Sequence, residues 1–170
     1  ITEGYKDNPA KFVDKLYDMG LNSKIGLDIK GEGSPRIPHP KDKNWNGLSL
    51  PWMAFGYGVS ITPLQTLNFY NAIANNGEMV KPRFIKEVKE WDKSILKVER
   101  EVMNPRICSP ETAKKLQKMM QQTVEKGTAA NIYTPNFSMA GKTGTCQVEY
   151  WIEPGRYISS FAGYFPAEDP

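Results

Sequence analysis

Residues that hold metals or form disulfides are scarce in this sequence: 170 residues include two cysteines and one histidine. Two cysteines are too few for a disulfide framework in a chain of this length. Neither Cys108 nor Cys146 stands in a CxxC pair or beside His39. A zinc site needs about three or four clustered ligands, so neither a metal nor a cofactor is expected. His39 lies in Pro38-His39-Pro40, an extended loop that suits a solvated or packing imidazole better than a catalytic one. No run of about 18 apolar residues occurs, so no membrane-spanning helix is read here. An excess of one charge is missing too. The 22 Lys and Arg face 19 Asp and Glu, mixed along the chain, and the net charge of +3 is too small to argue for nucleic acid. There is no initiator Met, no signal-peptide pattern, no internal repeat and no low-complexity segment. Both ends are expected to be cuts inside a larger protein.

What is present is ordinary for a folded domain: 39% apolar and 24% charged residues, in a chain long enough for one sizeable core. Three helices are announced by their caps. Asn8-Pro9 opens the first, Phe12, Val13, Leu16 and Tyr17 form its stripe, and Gly20 stops it. Thr62-Pro63-Leu64-Gln65 is a capping box that opens the second; Leu64, Leu67, Tyr70 and Ala74 follow at helical spacing, and Asn76-Gly77 ends the run. Ser109-Pro110-Glu111 opens the third, with Ala113, Leu116, Met120 and Val124 on its buried face and Lys126-Gly127 at its close.

Residues 26–58 are rich in Gly and Pro and show little periodicity. A loop this long inside a compact domain is uncommon and often functional, and it is expected to wrap the surface near the site. Residues 83–88 and 94–98 read as a hairpin around Trp91-Asp92-Lys93. Residues 138–148 and 157–165 read as a longer one, with Glu153-Pro154-Gly155 in its turn. Helices and antiparallel hairpins in separate runs give an α+β class.

Lys142-Thr143-Gly144-Thr145 carries the clearest chemistry. Alone, it fits an ordinary edge strand, with strand-favouring threonines and a lysine that discourages aggregation. Its neighbours weigh against that. Ala140-Gly141 precede it, Cys146-Gln147-Val148 follow, Gly127-Thr128-Ala129 sits upstream at a helix end, and a second strand over residues 160–167 pairs back. The Lys142 ammonium can hold a partner hydroxyl and neutralise negative charge in a partly buried cleft. Gly144 lacks a Cβ, so a substrate backbone can lie close against the strand and add to it by main-chain hydrogen bonds. Thr143 and Thr145 offer hydroxyls to a carboxylate.

These residues, with Gly56-Tyr57-Gly58, Thr62-Pro63-Leu64-Gln65, residues 68–77, Val80-Lys81-Pro82 and residues 7–27, resemble the penicillin-recognising serine acyltransferases, and among them the class B penicillin-binding proteins. The wording closely resembles the division-type peptidoglycan D,D-transpeptidases of Bacteroidetes, with the elongation-type paralogue as nearest competitor. The resemblance implies part of the β-lactamase/transpeptidase-like fold. In that family Lys-Thr-Gly is the third active-site motif, on an edge-accessible strand beside the nucleophile. By resemblance, Lys142 and Thr145 are catalytic, the Thr145 N–H forming half of the oxyanion hole, and Thr143, Gly144 and Thr145 bind substrate. The implied partners are peptidoglycan stem peptides, β-lactam antibiotics and, for the parent protein, divisome membrane proteins. The implied location is the extracytoplasmic, periplasmic face of the inner membrane, reached through an anchor outside this chain. A small residue, often Ala, usually follows Thr145 in such enzymes, and Cys146 is expected to be a buried, inert thiol.

Two motifs of the family are missing. No Ser-x-Asn occurs. The one Ser-x-x-Lys, Ser94-Ile95-Leu96-Lys97, falls in a strand, where a period of two puts Ser94 and Lys97 on opposite faces rather than one helical turn apart. Residues 1–170 are therefore expected to be the C-terminal portion of a transpeptidase domain, without its nucleophile and inactive alone. The competing readings are a related hydrolase, either a D,D-carboxypeptidase or a β-lactamase-like enzyme, and a non-enzymatic penicillin-sensing or division-interaction module.

Overall fold

The structure is a computed structural model, which describes residues 1–170 apart from Asp28, Tyr150, Glu153 and Pro154. Its elements, in chain order, are α1 (Thr2–Tyr5), α2 (Pro9–Asp18), α3 (Ser49–Ala54), α4 (Pro63–Ala74), β1 (Met79–Val80), β2 (Glu87–Glu90), β3 (Lys93–Lys97), β4 (Val102–Asn104), α5 (Pro110–Glu125), a single 3-10 turn (Ala130–Ile132), β5 (Ala140–Val148) and β6 (Arg156–Tyr164). The strands form three two-stranded pairs, β1 with β4, β2 with β3 and β5 with β6. The α+β expectation holds. The chain divides into two compact units, Ile1–Asn68 with Val80–Ile107, and Phe69–Met79 with Cys108–Pro170.

In the first unit, α2 begins and ends where its caps place it. The Asn8 side chain accepts from the Lys11 N–H at 3.3 Å, and Pro9 takes the first helical position. At the other end Gly20 adopts φ +80°, a left-handed conformation that glycine reaches without steric penalty, while the Leu21 N–H returns to the Leu16 carbonyl at 3.2 Å. The stripe buries Val13 completely and packs Phe12, Leu16 and Tyr17 around Ile37 and Met53. His39 is a packing imidazole: it is buried, its Nε2 lies 3.2 Å from Asp14 Oδ1, and its Nδ1 accepts from the Lys41 N–H.

The glycine-rich stretch is not the structureless wrapping loop expected of it. It contains α3, it bridges Arg36 to Ser60 by two backbone hydrogen bonds of 2.7 and 2.8 Å, and it supplies Ile37, Leu50 and Met53 to the core of its own unit. Its start is held by Glu32, whose carboxylate accepts the N–H groups of Ile25, Gly26 and Leu27 at 2.5, 3.0 and 3.0 Å. A periodicity search misses such order because it rests on backbone-to-side-chain bonds, not on an apolar repeat.

Helix α4 opens with the capping box in full. The Thr62 N–H donates to Gln65 Oε1 at 2.8 Å and the Gln65 N–H donates to Thr62 Oγ1 at 3.1 Å. Its buried face differs from the stripe expected. Ala74 is buried and Leu64 and Tyr70 are half-buried as that run suggests, but Leu67 is 49% exposed, and Gln65, Asn68, Ala72 and Ile73 are buried as well. Gln65 is tolerated inside because its amide also donates to the Ser23 carbonyl at 2.8 Å, leaving little polar capacity unpaired. The β2–β3 hairpin turns at Trp91, at φ +53°, and every residue of both strands is exposed. Its first strand starts at Glu87 rather than at residue 83. Pro82 lacks an N–H to donate to a ladder, and Arg83 meets the far side through its guanidinium, which donates to the Val98 carbonyl.

In the second unit, Ser109 caps α5 by accepting from the Thr112 N–H, and Ala113, Met120 and Val124 are buried as the stripe requires. Gln117 donates to the carbonyls of Ile73 and Ala74 at 2.8 and 3.1 Å, satisfying acceptors that the end of α4 leaves free. Helix α5 packs on β5, whose Ala140 is fully buried. Strands β5 and β6 pair antiparallel in unbroken register from Ala140↔Tyr164 to Val148↔Arg156. Glu153 and Pro154, read as part of the connecting turn, lie outside the described residues.

Candidate active site

All four residues of Lys142-Thr143-Gly144-Thr145 fall within β5, paired across to β6 as Lys142↔Ala162, Thr143↔Phe161, Gly144↔Ser160 and Thr145↔Ser159. The first two residues of β5, Ala140 and Gly141, are buried, and the strand becomes exposed at Lys142. Lys142 is exposed rather than set in a partly buried cleft, and its ammonium donates to the Thr143 carbonyl at 2.6 Å. Thr143 is half-buried, and its hydroxyl lies 2.7 Å from that of Thr128. Thr145 is exposed, and among the described residues its hydroxyl has no hydrogen-bond partner.

At Gly144 the packing demand for glycine is slight. A Cβ there would meet only the Ser160 hydroxyl, at 2.7 Å, and that is the movable end of a small side chain. Gly127 differs: a Cβ would fall 2.8 Å from the Thr123 Cα, so the helix end needs glycine for its own sake. Thr128 follows directly. The sequence puts Gly127-Thr128-Ala129 upstream of the motif, at a helix end, and assigns Thr128 no role. The helix-end glycine was the available signal, and the contact itself depends on how α5 lies along β5.

Cys146 corrects an expectation. Its thiol is exposed and contacts the Gln147 carbonyl at 3.6 Å, while burial along β5 is complete only at Ala140 and Gly141. Ser94 and Lys97, of the lone Ser-x-x-Lys match, lie in β3 with both residues exposed. Among the described residues no group of three or more His, Cys, Asp or Glu is placed to hold a metal ion. A cavity of about 330 Å³ lies in the first unit, walled by Leu27, Ile29, Phe84, Ile85, Leu96 and Val98 among others. None of its walls comes from β5, so the chemistry of Lys142 to Thr145 marks the candidate site and the cavity does not.

Residues 4–170 match the family described as the penicillin binding protein transpeptidase domain. The chain belongs to that family. Penicillin-binding protein PbpB of Mycolicibacterium smegmatis is 33% identical over 180 residues, covering 95% of this chain and 26% of the relative. Stage V sporulation protein D of Bacillus subtilis is 31% identical over 173 residues, covering 98% of this chain and 26% of the relative. The apo crystal structure of penicillin binding protein 3 from Mycobacterium tuberculosis is 32% identical with a TM-score of 0.77, over 96% of this chain and 38% of that one. The penicillin-binding transpeptidase likeness fixes the fold as part of the β-lactamase/transpeptidase-like architecture. The chain spans about a quarter of the length of the curated relatives it matches.

Proposed function

We propose that this chain forms one wall of the active site of a serine-type peptidoglycan D,D-transpeptidase, and that its β5 strand binds the carboxylate and the oxyanion of the substrate. The observation that carries the reading is the state of Lys142 to Thr145. It follows the buried start of β5 with Lys142 and Thr145 exposed and Thr143 half-buried, and a Cβ at its central glycine would meet only the Ser160 hydroxyl. Such a strand offers main-chain hydrogen bonds to an extended peptide, with Gly144 allowing close approach. Thr143 and Thr145 then meet a terminal carboxylate, Lys142 supplies positive charge, and the Thr145 N–H stabilises the oxyanion. A donor of that kind is worth about 10²–10³ in rate.

The nucleophile belongs to a Ser-x-x-Lys segment outside these residues, since Ser94 and Lys97 lie in an exposed strand. With it, serine attacks the penultimate D-Ala carbonyl of a stem peptide and releases the terminal D-Ala, and a neighbouring amine resolves the acyl-enzyme. β-Lactams are trapped by the same attack; the Mycobacterium tuberculosis protein has been crystallised with aztreonam and with ampicillin. On this reading the parent acts outside the cytoplasm, at the periplasmic face of the inner membrane among division proteins.

The test is intact-mass spectrometry with a labelled penicillin. The complete protein that carries this chain gains one acyl adduct, and residues 1–170 alone gain none. No adduct on the complete protein, or an adduct on Ser94, would overturn the reading.

A further inference from the structure

We propose that the cavity of the first unit binds an amphiphile with an apolar chain and one carboxylate head, the chain lying against Ile29, Phe84, Ile85 and Leu96 and the head held by the Arg83 guanidinium. The cavity measures about 330 Å³. Small-molecule sites run from about 300 to 1,000 Å³, with mostly apolar walls and a few polar groups that fix orientation. Ile29, Phe84, Ile85 and Leu96 are large, apolar and exposed, and all four line this one space. Apolar surface gathered in a single concavity, with charged residues at its rim, marks a place of binding.

The charges decide the kind of ligand. Among the described residues, four charged side chains border the cavity: Lys81, Arg83, Glu99 and Glu101. Lys81 Nζ lies 3.3 Å from Glu101 Oε2, and Lys97 Nζ lies 3.7 Å from Glu99 Oε1, so each carboxylate has its cation. Arg83 has no carboxylate partner among the described residues. Its one hydrogen bond there is to the Val98 carbonyl, at 2.5 Å, which sets the guanidinium beside the apolar wall. A guanidinium carries five N–H donors in a planar fork, so most remain to give, and the fork matches a carboxylate. One unmatched cation beside apolar walls complements one negative charge on an apolar chain.

The frame is set without a ligand. The Lys81 N–H donates to the Glu101 carbonyl at 2.9 Å and the Val98 N–H to the Lys86 carbonyl at 3.0 Å, tying together the runs that carry Arg83 and Leu96. In the glycine-rich stretch, the Glu32 carboxylate holds the Leu27 N–H at 3.0 Å, next to the wall that Leu27 and Ile29 supply. A site formed in advance loses less conformational freedom on binding.

The test is calorimetric titration of the complete protein that carries this chain with octanoate and, separately, with 1-octanol, both kept below the concentrations at which they aggregate. Octanoate binds at one site per chain. Arg83→Gln weakens octanoate about tenfold, the scale of a hydrogen bond to a charged group, and leaves 1-octanol unchanged. Leu96→Asp sets a negative charge in the wall and abolishes octanoate binding; should it fail to fold, Ile29→Asp does the same from the glycine-rich stretch. An octanoate affinity unchanged by Arg83→Gln, or by the wall variant, overturns the proposal. No octanoate binding to the complete protein overturns it too, and is the result expected where a peptide segment outside residues 1–170 or a partner chain fills the cavity. None of these outcomes bears on the transpeptidase reading, which rests on β5.

Discussion

Cys146 and Thr128 mark what residue-level reading of the sequence can and cannot reach. The capping box of Thr62 and Gln65 was legible because its partners are three residues apart and their bonds follow from local geometry. The contact between Thr128 and Thr143 joins residues fifteen apart, one in the turn after α5 and the other in β5. It depends on how a helix lies on a strand, which no local pattern encodes. The exposure of Cys146 is hidden from the sequence for the same reason, since cover is a property of the neighbouring element. The two thiols should therefore behave differently. Cys146 is exposed, while Cys108 is half-buried and burial pushes its thiol up, leaving less reactive thiolate. A thiol-reactive probe should label Cys146 as fast in the native chain as in urea and reach Cys108 at its full rate only in urea. Equal native rates at both sites would contradict this.

At the scale of elements, α2 and α5 were readable from end to end because caps and apolar spacing agree. Helix α4 was readable in extent but only partly in orientation: Ala74 is buried, yet Gln65 and Asn68 are buried where apolarity pointed to Leu67. The stretch before it hid α3 and the Glu32 turn. That turn should respond to acid. The backbone N–H of Leu27, then those of Ile25 and Gly26, hold the Glu32 carboxyl below the usual glutamate range, with Lys24 adding to the effect. A depressed carboxyl stabilises the fold above its unfolded pKa, and the contribution fades as pH falls through the lower folded value. The thermal midpoint should therefore drop as the solution is taken below about pH 4, and Glu32→Gln should flatten that part of the profile. Parallel profiles for the two proteins would refute the clamp.

Across the whole molecule, family membership rests on nearly the entire chain, while the proposed activity rests on a partner segment that must bring the nucleophile. The fold class and the strand bearing the motif were legible because the β5–β6 pairing follows an uninterrupted register. The division into two units was not, since the chain passes from one to the other within α4. The central claim is that β5 supplies charge and hydrogen bonds to the reacting ligand. The most direct measurement is the second-order rate of acylation of the complete protein by a labelled penicillin, with and without Lys142→Ala. Lys142 is exposed and, among the described residues, bonded only to its neighbour's carbonyl, so its removal should leave folding intact. The account predicts a loss of about 10²-fold in rate with an unchanged thermal midpoint. Acylation of Lys142→Ala at the unsubstituted rate would contradict it.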